Sequence, residues 1–268
     1  MKLENKQIQV KLDDFAQVDS ITYKGKQLLY QGDEGWGKKF PIIFPSLGKS
    51  KGFLYENKKY NMPKHGWWKE LDWQSFYEGE ELLSVATILD KEKFPFAIDI
   101  VQRIGLDRNT LYINYEISNL DKKTAYFQFG IHPAFKIDDS SFIKTNDTFQ
   151  EIDLEGKISG REVQPNDLKI QKLLFGKAYD TLISVNSDEK NIKLINEGEI
   201  LDIKFDSPHI QIWKPKQDNF ICIEPWYGWN DMFYNAPEDI TKKEQIIKLE
   251  VGRTWSATFE LKVITNKK

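Results

Sequence analysis

The sequence predicts an all-β protein, built as a sandwich or barrel of antiparallel strands. Two observations predict this class: apolar and polar residues alternate along many short segments, and turn residues separate these segments regularly. Convincing helical patterns are few, whereas an α/β protein would place a helix between most strands. We find no internal repeat, low-complexity segment or flexible linker, so we expect one domain that covers residues 1–268.

The individual strands follow from this alternation. Residues 8–12, 111–117 and 255–263 alternate strictly, which is typical of half-buried strands. A hairpin around residues 24–26 would join two short strands. Residues 167–175 could form one short helix, ended by Gly176. Further strands are predicted at residues 82–89, 96–104, 124–131, 191–195, 200–205, 209–213 and 220–224.

The composition bounds the possible partners. With 40% hydrophobic and 13% aromatic residues, the chain can build a substantial core. Its net charge is -3, and few of its 38 basic residues are arginine. Nucleic-acid surfaces need basic residues clustered on one face. We therefore expect no nucleic-acid partner. The arginines are scattered along the chain: Arg103, Arg108, Arg161 and Arg253.

The sequence also favours a reducing compartment. Cys222 is the single cysteine, so an intramolecular disulfide cannot form. The first residues contain no apolar signal sequence, and no apolar run approaches the roughly 20 residues that span a bilayer. We therefore expect a cytoplasmic protein with no membrane partner.

Two ionisable residues stand directly before prolines at the ends of apolar runs. His132 precedes Pro133, and Glu224 precedes Pro225. Proline favours an extended conformation in the residue before it, so each side chain is expected at the end of a strand. A histidine and a glutamate fixed in this way make a candidate acid/base pair.

The neighbouring strands carry polar and aromatic residues on the same faces. Alternation places His209, Gln211 and Trp213 on one face, and Gln128 on the face of His132. Buried polar groups need partners, so such a face suits a cleft for a polyhydroxylated ligand better than a core. Six tryptophans lie in or beside these segments: Trp36, Trp67, Trp68, Trp213, Trp226 and Trp229.

Several motifs resemble the aldose 1-epimerase (galactose mutarotase-like) family. Residues 130–135, GIHPAF, resemble its GxHPxF signature, and residues 224–228, EPWYG, its late EPxxG element. Residues 44–49, FPSLGK, and 65–69, HGWWK, look like its FPxxGR and HGFAR loops. Residues 179–183 are similar to the segment that supplies a sugar-binding aspartate. With a P-x-x-Q element at residues 208–211, these motifs follow the family order.

This resemblance implies a large antiparallel β-supersandwich that interconverts the α and β anomers of a hexose. His132 would protonate the ring oxygen, and Glu224 would remove the proton of the C1 hydroxyl. The mechanism requires that both face one cleft, with room for a pyranose ring between them, and it fails if they lie on different faces of the domain. His65 and Asp180 would hold sugar hydroxyls. No metal or other cofactor is implied, and we expect a monomer or a homodimer.

Other residues of the cleft would complete the binding of the sugar. The expected contacts come from Gln128, Gln211 and Trp213, together with the basic residues of the two loops. Those are Lys49 and Lys69 here, where the family has arginine. Lysine offers one point charge in place of a planar fork, so this exchange is not conservative.

The lysine exchanges leave alternative functions open. A sugar phosphate or an uncommon sugar could be the substrate, with Lys51 and Lys64 adding positive charge. A carbohydrate-binding protein without useful turnover is the other alternative, because a fold alone does not fix a function. The residue pattern assigns Cys222 to packing, since no base is indicated beside it.

Overall fold

The structure is a computed structural model, and it describes residues 1–32, 39–153, 157–163, 168–170, 179–185, 190–196, 198–215 and 219–265. These residues form 25 β-strands and short 3-10 turns such as Trp68–Glu70 and Ile240–Lys242. The all-β prediction is confirmed. None of the helices in this part of the chain is long and apolar enough to cross a membrane.

The largest sheet has nine strands, and every neighbouring pair in it is antiparallel. Its last strand in the sequence lies in the middle of the sheet. The spatial order is β18 (Leu168–Lys169), β15 (Phe142–Lys144), β20 (Asn191–Asn196), β21 (Glu199–Phe205), β25 (Thr254–Thr265), β11 (Thr110–Asn119), β10 (Ile98–Asp107), β9 (Glu81–Ile88) and β8 (Gln74–Glu78).

The second large sheet has eight strands and carries the candidate acid/base pair. Two successive strands, β13 (Phe129–Ile131) and β14 (Ala134–Lys136), pair with the same side of β23 (Phe220–Tyr227). The rest of the sheet follows in the order β17 (Ile158–Val163), β16 (Phe149–Asp153), β19 (Tyr179–Val185), β22 (His209–Trp213), then β23 and β13, and finally β5 (Ile42–Ile43).

Smaller sheets complete the fold. The N-terminal sheet contains β1 (Lys2–Glu4), β2 (Ile8–Leu12), β3 (Val18–Tyr23) and β4 (Lys26–Gln27). The predicted hairpin is its β3–β4 turn, where Lys24 and Gly25 both have positive φ. Two further pairs are β6 (Phe53–Tyr55) with β7 (Lys58–Tyr60), and β12 (Ala125–Phe127) with β24 (Ile247–Leu249).

One apolar core lies between the two large sheets. Alternate side chains of β11, such as Ile113, and of β22, such as Ile212, belong to the same buried cluster. Aromatic rings of the two sheets pack against each other. The ring centre of Phe129 in β13 lies 4.9 Å from that of Tyr115 in β11 and 5.3 Å from that of Trp255 in β25. Along β22 and β23 the core-facing side chains alternate with those of the opposite face, which is also buried and carries the polar residues His209, Gln211 and Glu224.

Three predicted elements differ from the structure. The run 124–131 forms two strands, β12 and β13, which belong to different sheets. The strand expected at 220–224 continues through Pro225 to Tyr227. In the predicted helix 167–175, Leu168–Lys169 is a strand, because it pairs with β15, and residues 171–178 lie outside the described residues.

Candidate active site

His132 and Glu224 meet because of how two strands pair. Gly130 of β13 pairs with Trp226, and Ala134 of β14 pairs with Cys222. Residues 132–133 interrupt the strand between β13 and β14, but the register with β23 is the same on both sides of them. His132 therefore lies opposite Glu224. Proline lacks the N–H that a sheet ladder needs. Pro225 is tolerated inside β23 because the neighbouring strand is interrupted at His132 and Pro133.

Gln211 completes a row across three adjacent strands. It pairs directly with Glu224 on the other side of β23, so the row runs His132, Glu224, Gln211. Along β23, Cys222 and Trp226 lie two residues away from Glu224 and point to the same face. Glu224 therefore has four neighbouring side chains on this face: His132 and Gln211 on the adjacent strands, and Cys222 and Trp226 along β23.

The Glu224 carboxylate is surrounded by nitrogen groups. His132 Nε2 lies 3.3 Å from its Oε1. Gln211 Nε2 donates to Oε1 at 3.3 Å, and Trp226 Nε1 donates to Oε2 at 3.1 Å. Glu224 has no exposed surface, so these contacts replace the water that an ionised carboxylate would otherwise bind.

The direct contact corrects one expectation. We expected room for a pyranose ring between the imidazole and the carboxylate, but the two groups touch. A sugar therefore has to approach both from one side. The exposed surface of the row lies at its two ends, where His132 is 5% and Gln211 is 8% exposed, whereas Glu224 between them has none.

Two half-buried rings flank His132. The His65 ring lies 5.4 Å from the His132 ring, and the Trp213 ring lies 5.9 Å from it. His65 reaches this place through a left-handed turn, in which it has φ +66° and Gly66 has φ +71°. A Cβ at Gly66 would lie 2.0 Å from the Phe44 carbonyl oxygen, so the turn requires glycine there.

Gln128, an expected sugar contact, hydrogen-bonds to two loops. Its Oε1 accepts from the Leu47 N–H at 2.9 Å, and its Nε2 donates to the Trp229 carbonyl at 2.6 Å. The side chain is buried. It therefore connects the loop that contains Leu47 to the loop that contains Trp229. The first of these loops also holds His65, because the His65 N–H donates to the Gly48 carbonyl at 2.8 Å.

Asp231 ties the same two loops a second time. Its Oδ2 accepts from Ser50 Oγ at 2.9 Å and from Lys243 Nζ at 2.6 Å. The Asp231 and Lys243 side chains are each only 4% exposed, so this ion pair is buried. Sequence reasoning missed both residues, since nothing local marks a buried lysine.

The two loop lysines are exposed, and Lys69 faces another part of the molecule. Its ammonium lies 5.4 Å from the centre of the Phe15 ring. It lines a pocket of 210 Å³ with Lys39, Asp13 and other residues, none of which belongs to the row around Glu224. The structure does not bring Lys69 into the row, and its contact with a sugar stays a prediction. Asp180 lies in β19, and its side chain is outside the described residues, as is Trp36.

His209 is a buried neighbour of the row rather than a member of it. It pairs with Trp226, has no exposed surface, and packs with its ring 5.1 Å from the Trp229 ring. Burial lowers the pKa of His209 to about 4, with the Lys190 charge as a second cause and the Gln245 hydrogen bond opposing both. His209 therefore stays neutral down to acidic pH in the folded protein.

This neutral histidine predicts a pH dependence of stability. The unfolded state takes up the proton near pH 6.5 and the folded state only near pH 4. The contribution of His209 to the free energy of unfolding is complete above pH 6.5. As the pH falls toward 4, about 3 kcal/mol of it is lost. Urea unfolding at pH 7 and pH 4.5 measures it. His209→Gln should lose less stability between the two pH values than the wild type; equal losses would contradict the assignment.

Comparison with known proteins places this arrangement in a family. The sequence profile described as aldose 1-epimerase matches residues 2–262. The chain belongs to the aldose 1-epimerase family. The resemblance of its motifs is thereby confirmed, and so is the galactose mutarotase-like supersandwich. No curated protein shows significant sequence similarity to this family member.

Several solved structures share this fold. A galactose mutarotase related enzyme from Lactobacillus acidophilus matches with a TM-score of 0.88 and 22% identity, covering 100% of this chain and 98% of its own. A galactose mutarotase-like protein from Lactobacillus casei matches at 0.86 and 23%, covering 98% and 99%. One from Clostridium acetobutylicum matches at 0.73 and 15%, covering 99% and 95%. At these identities the likeness shows the fold.

Proposed function

We propose that this protein is a mutarotase that interconverts the α and β anomers of a free hexose. One observation carries the proposal: in a chain of the aldose 1-epimerase family, His132 Nε2 lies 3.3 Å from Glu224 Oε1 on a polar face of the sheet. An imidazole and a carboxylate at this distance can act as a general acid and a general base on neighbouring atoms.

The reaction needs a pair of groups at this close spacing. The ring oxygen and the C1 hydroxyl oxygen are bonded to the same carbon, so the acid and the base must reach two oxygens that lie close together. His132 would protonate the ring oxygen while Glu224 removes the hydroxyl proton. The ring opens to the free aldehyde, the C1–C2 bond rotates, and reclosure on the other face gives the second anomer.

The substrate would reach Glu224 by replacing one of its present donors. The carboxylate has no exposed surface, whereas its two neighbours in the row, His132 and Gln211, are slightly exposed. The C1 hydroxyl would take the place of one of those contacts on Oε1. His65 and Trp213 flank His132 and would contact the sugar ring, with Trp213 offering an apolar ring face.

Exchange spectroscopy tests the proposal directly. In two-dimensional exchange NMR, the cross-peaks between α and β anomers of glucose and galactose should grow faster with protein than in buffer. A panel that includes glucose 6-phosphate tests the sugar-phosphate alternative, for which exposed Lys49, Lys51 and Lys64 provide charge. A preference for the phosphate that weakens with added salt would overturn the free-hexose assignment. Calorimetric sugar binding without exchange would identify a non-catalytic binding protein instead.

A further inference from the structure

Cys222 stands beside the acid/base pair and has no part in the proposed proton transfers. It is two residues before Glu224 on the same face of β23 and has no exposed surface. One ligand atom from each of Cys222, His132 and Glu224 lies within 4.8 Å of the other two. Sulfur, imidazole nitrogen and carboxylate oxygen are the three donor types that zinc takes from proteins.

We propose that His132, Cys222 and Glu224 form a zinc site that inhibits the enzyme when it is occupied. The inhibition rests on the proposed function, whereas the binding of zinc does not. A bound ion would occupy the imidazole nitrogen and the carboxylate oxygen that the mutarotase reaction uses. The exchange of anomers would then stop, although the protein stays folded.

The geometry of the three groups suits a tetrahedral ion. With zinc–ligand bonds of about 2.0–2.3 Å, the donor atoms around one zinc lie about 3.3–3.8 Å apart. His132 Nε2 and Glu224 Oε1 are already 3.3 Å apart. One ligand atom of each of the other two residues lies within 4.8 Å of the sulfur, so a shift of at most about 1 Å brings the sulfur into the tetrahedral range. Three protein ligands leave a fourth position for water, as in zinc sites that remain open.

The surroundings already orient the ligands. Trp226 Nε1 donates to Glu224 Oε2, and Gln211 Nε2 donates to Oε1, so the carboxylate is held in place from outside the site. Such outer hydrogen bonds typically change metal affinity by about 10- to 100-fold. Cys222 and Glu224 lie on β23, and His132 lies in the break between β13 and β14, both of which pair with β23.

Binding changes bonds and protons but not oxidation states. Zn²⁺ forms bonds to the Cys222 sulfur, one His132 nitrogen and one Glu224 oxygen. The thiol proton passes to solvent, since the thiolate is the ligand form of cysteine. Burial, followed by the charge of Glu224, raises the pKa of the Cys222 thiol well above its usual value, so the thiol is protonated before the ion arrives.

Cobalt substitution tests the site without reference to activity. The chelator-treated protein is titrated with Co²⁺, and the thiolate-to-cobalt charge-transfer absorption is recorded. Because Cys222 is the single cysteine, this absorption has one possible source. We expect it to saturate at one equivalent and to disappear when Zn²⁺ is added. Wild-type protein that gives no such absorption would overturn the proposal.

Matched variants separate the zinc site from the proposed activity. Cys222→Ala and Cys222→Ser should keep the anomer exchange of the wild type and bind Zn²⁺ at least tenfold more weakly in calorimetry. One equivalent of Zn²⁺ should stop exchange in the wild type only. Variants that bind zinc as tightly as the wild type would refute the zinc site. A protein that shows the cobalt absorption but never catalyses exchange would refute the proposed function alone.

Discussion

Replacing Glu224 by glutamine should lower the catalysed anomer exchange by about 10²- to 10⁴-fold, the usual contribution of one positioned acid or base. The amide keeps the size of the side chain but cannot accept a proton from the C1 hydroxyl. The exchange rate in two-dimensional NMR measures the loss. His132→Ala should cost a comparable factor, because the ring oxygen loses its proton donor.

The double variant distinguishes a catalytic pair from two structural residues. If the two groups act as a unit, removing both should cost little more than removing either one. Glu151→Gln is a matched control: Glu151 is also a buried strand carboxylate, 6% exposed, in β16 of the same sheet. It should keep wild-type exchange. Full activity in both Glu224→Gln and His132→Ala would refute the assignment.

The second large effect concerns stability. Asp231→Ala should lower the free energy of unfolding by about 3–5 kcal/mol, because it leaves the Lys243 ammonium buried without its counter-charge. Both side chains are 4% exposed, and their Nζ–Oδ2 distance is 2.6 Å. Urea unfolding followed by circular dichroism measures the change.

Two comparisons make this stability result specific. The double variant Asp231→Leu with Lys243→Met should recover most of the loss, since it removes both charges and fills their space with apolar groups. Glu92→Ala, which breaks an exposed ion pair with Lys58, should change stability little. A double variant as unstable as Asp231→Ala would show that the charge of Lys243 is not the cause.

The sequence predicts a strand well where one face of the strand is buried and the other is exposed to solvent. The alternation of residues 111–117 marks β11 because its apolar side chains enter the core one after another. It fails in the run 124–131, where apolar residues lie on both sides of Gln128 without regular alternation. There Gln128 separates β12 from β13 by bonding to two loops, and those partners are distant in sequence.

The candidate site shows the same division between local and long-range information. Proline after His132 marks a strand end correctly, because β13 ends at Ile131. The same rule fails for Glu224, since the break that admits Pro225 lies in the neighbouring strand. That His132, Glu224 and Gln211 form one row depends on the register of three strands from separate segments, which no local pattern contains.

The central place of β25 in the nine-stranded sheet bears on synthesis at the ribosome. This strand is made after all its neighbours, yet it lies between β21 and β11. Until β25 leaves the exit tunnel, the edges of β21 and β11 that it will join stay unpaired. Such unpaired edges promote association with other chains. The larger sheet, and the core that supports the site, can therefore close only after β25, which ends at Thr265, has left the exit tunnel.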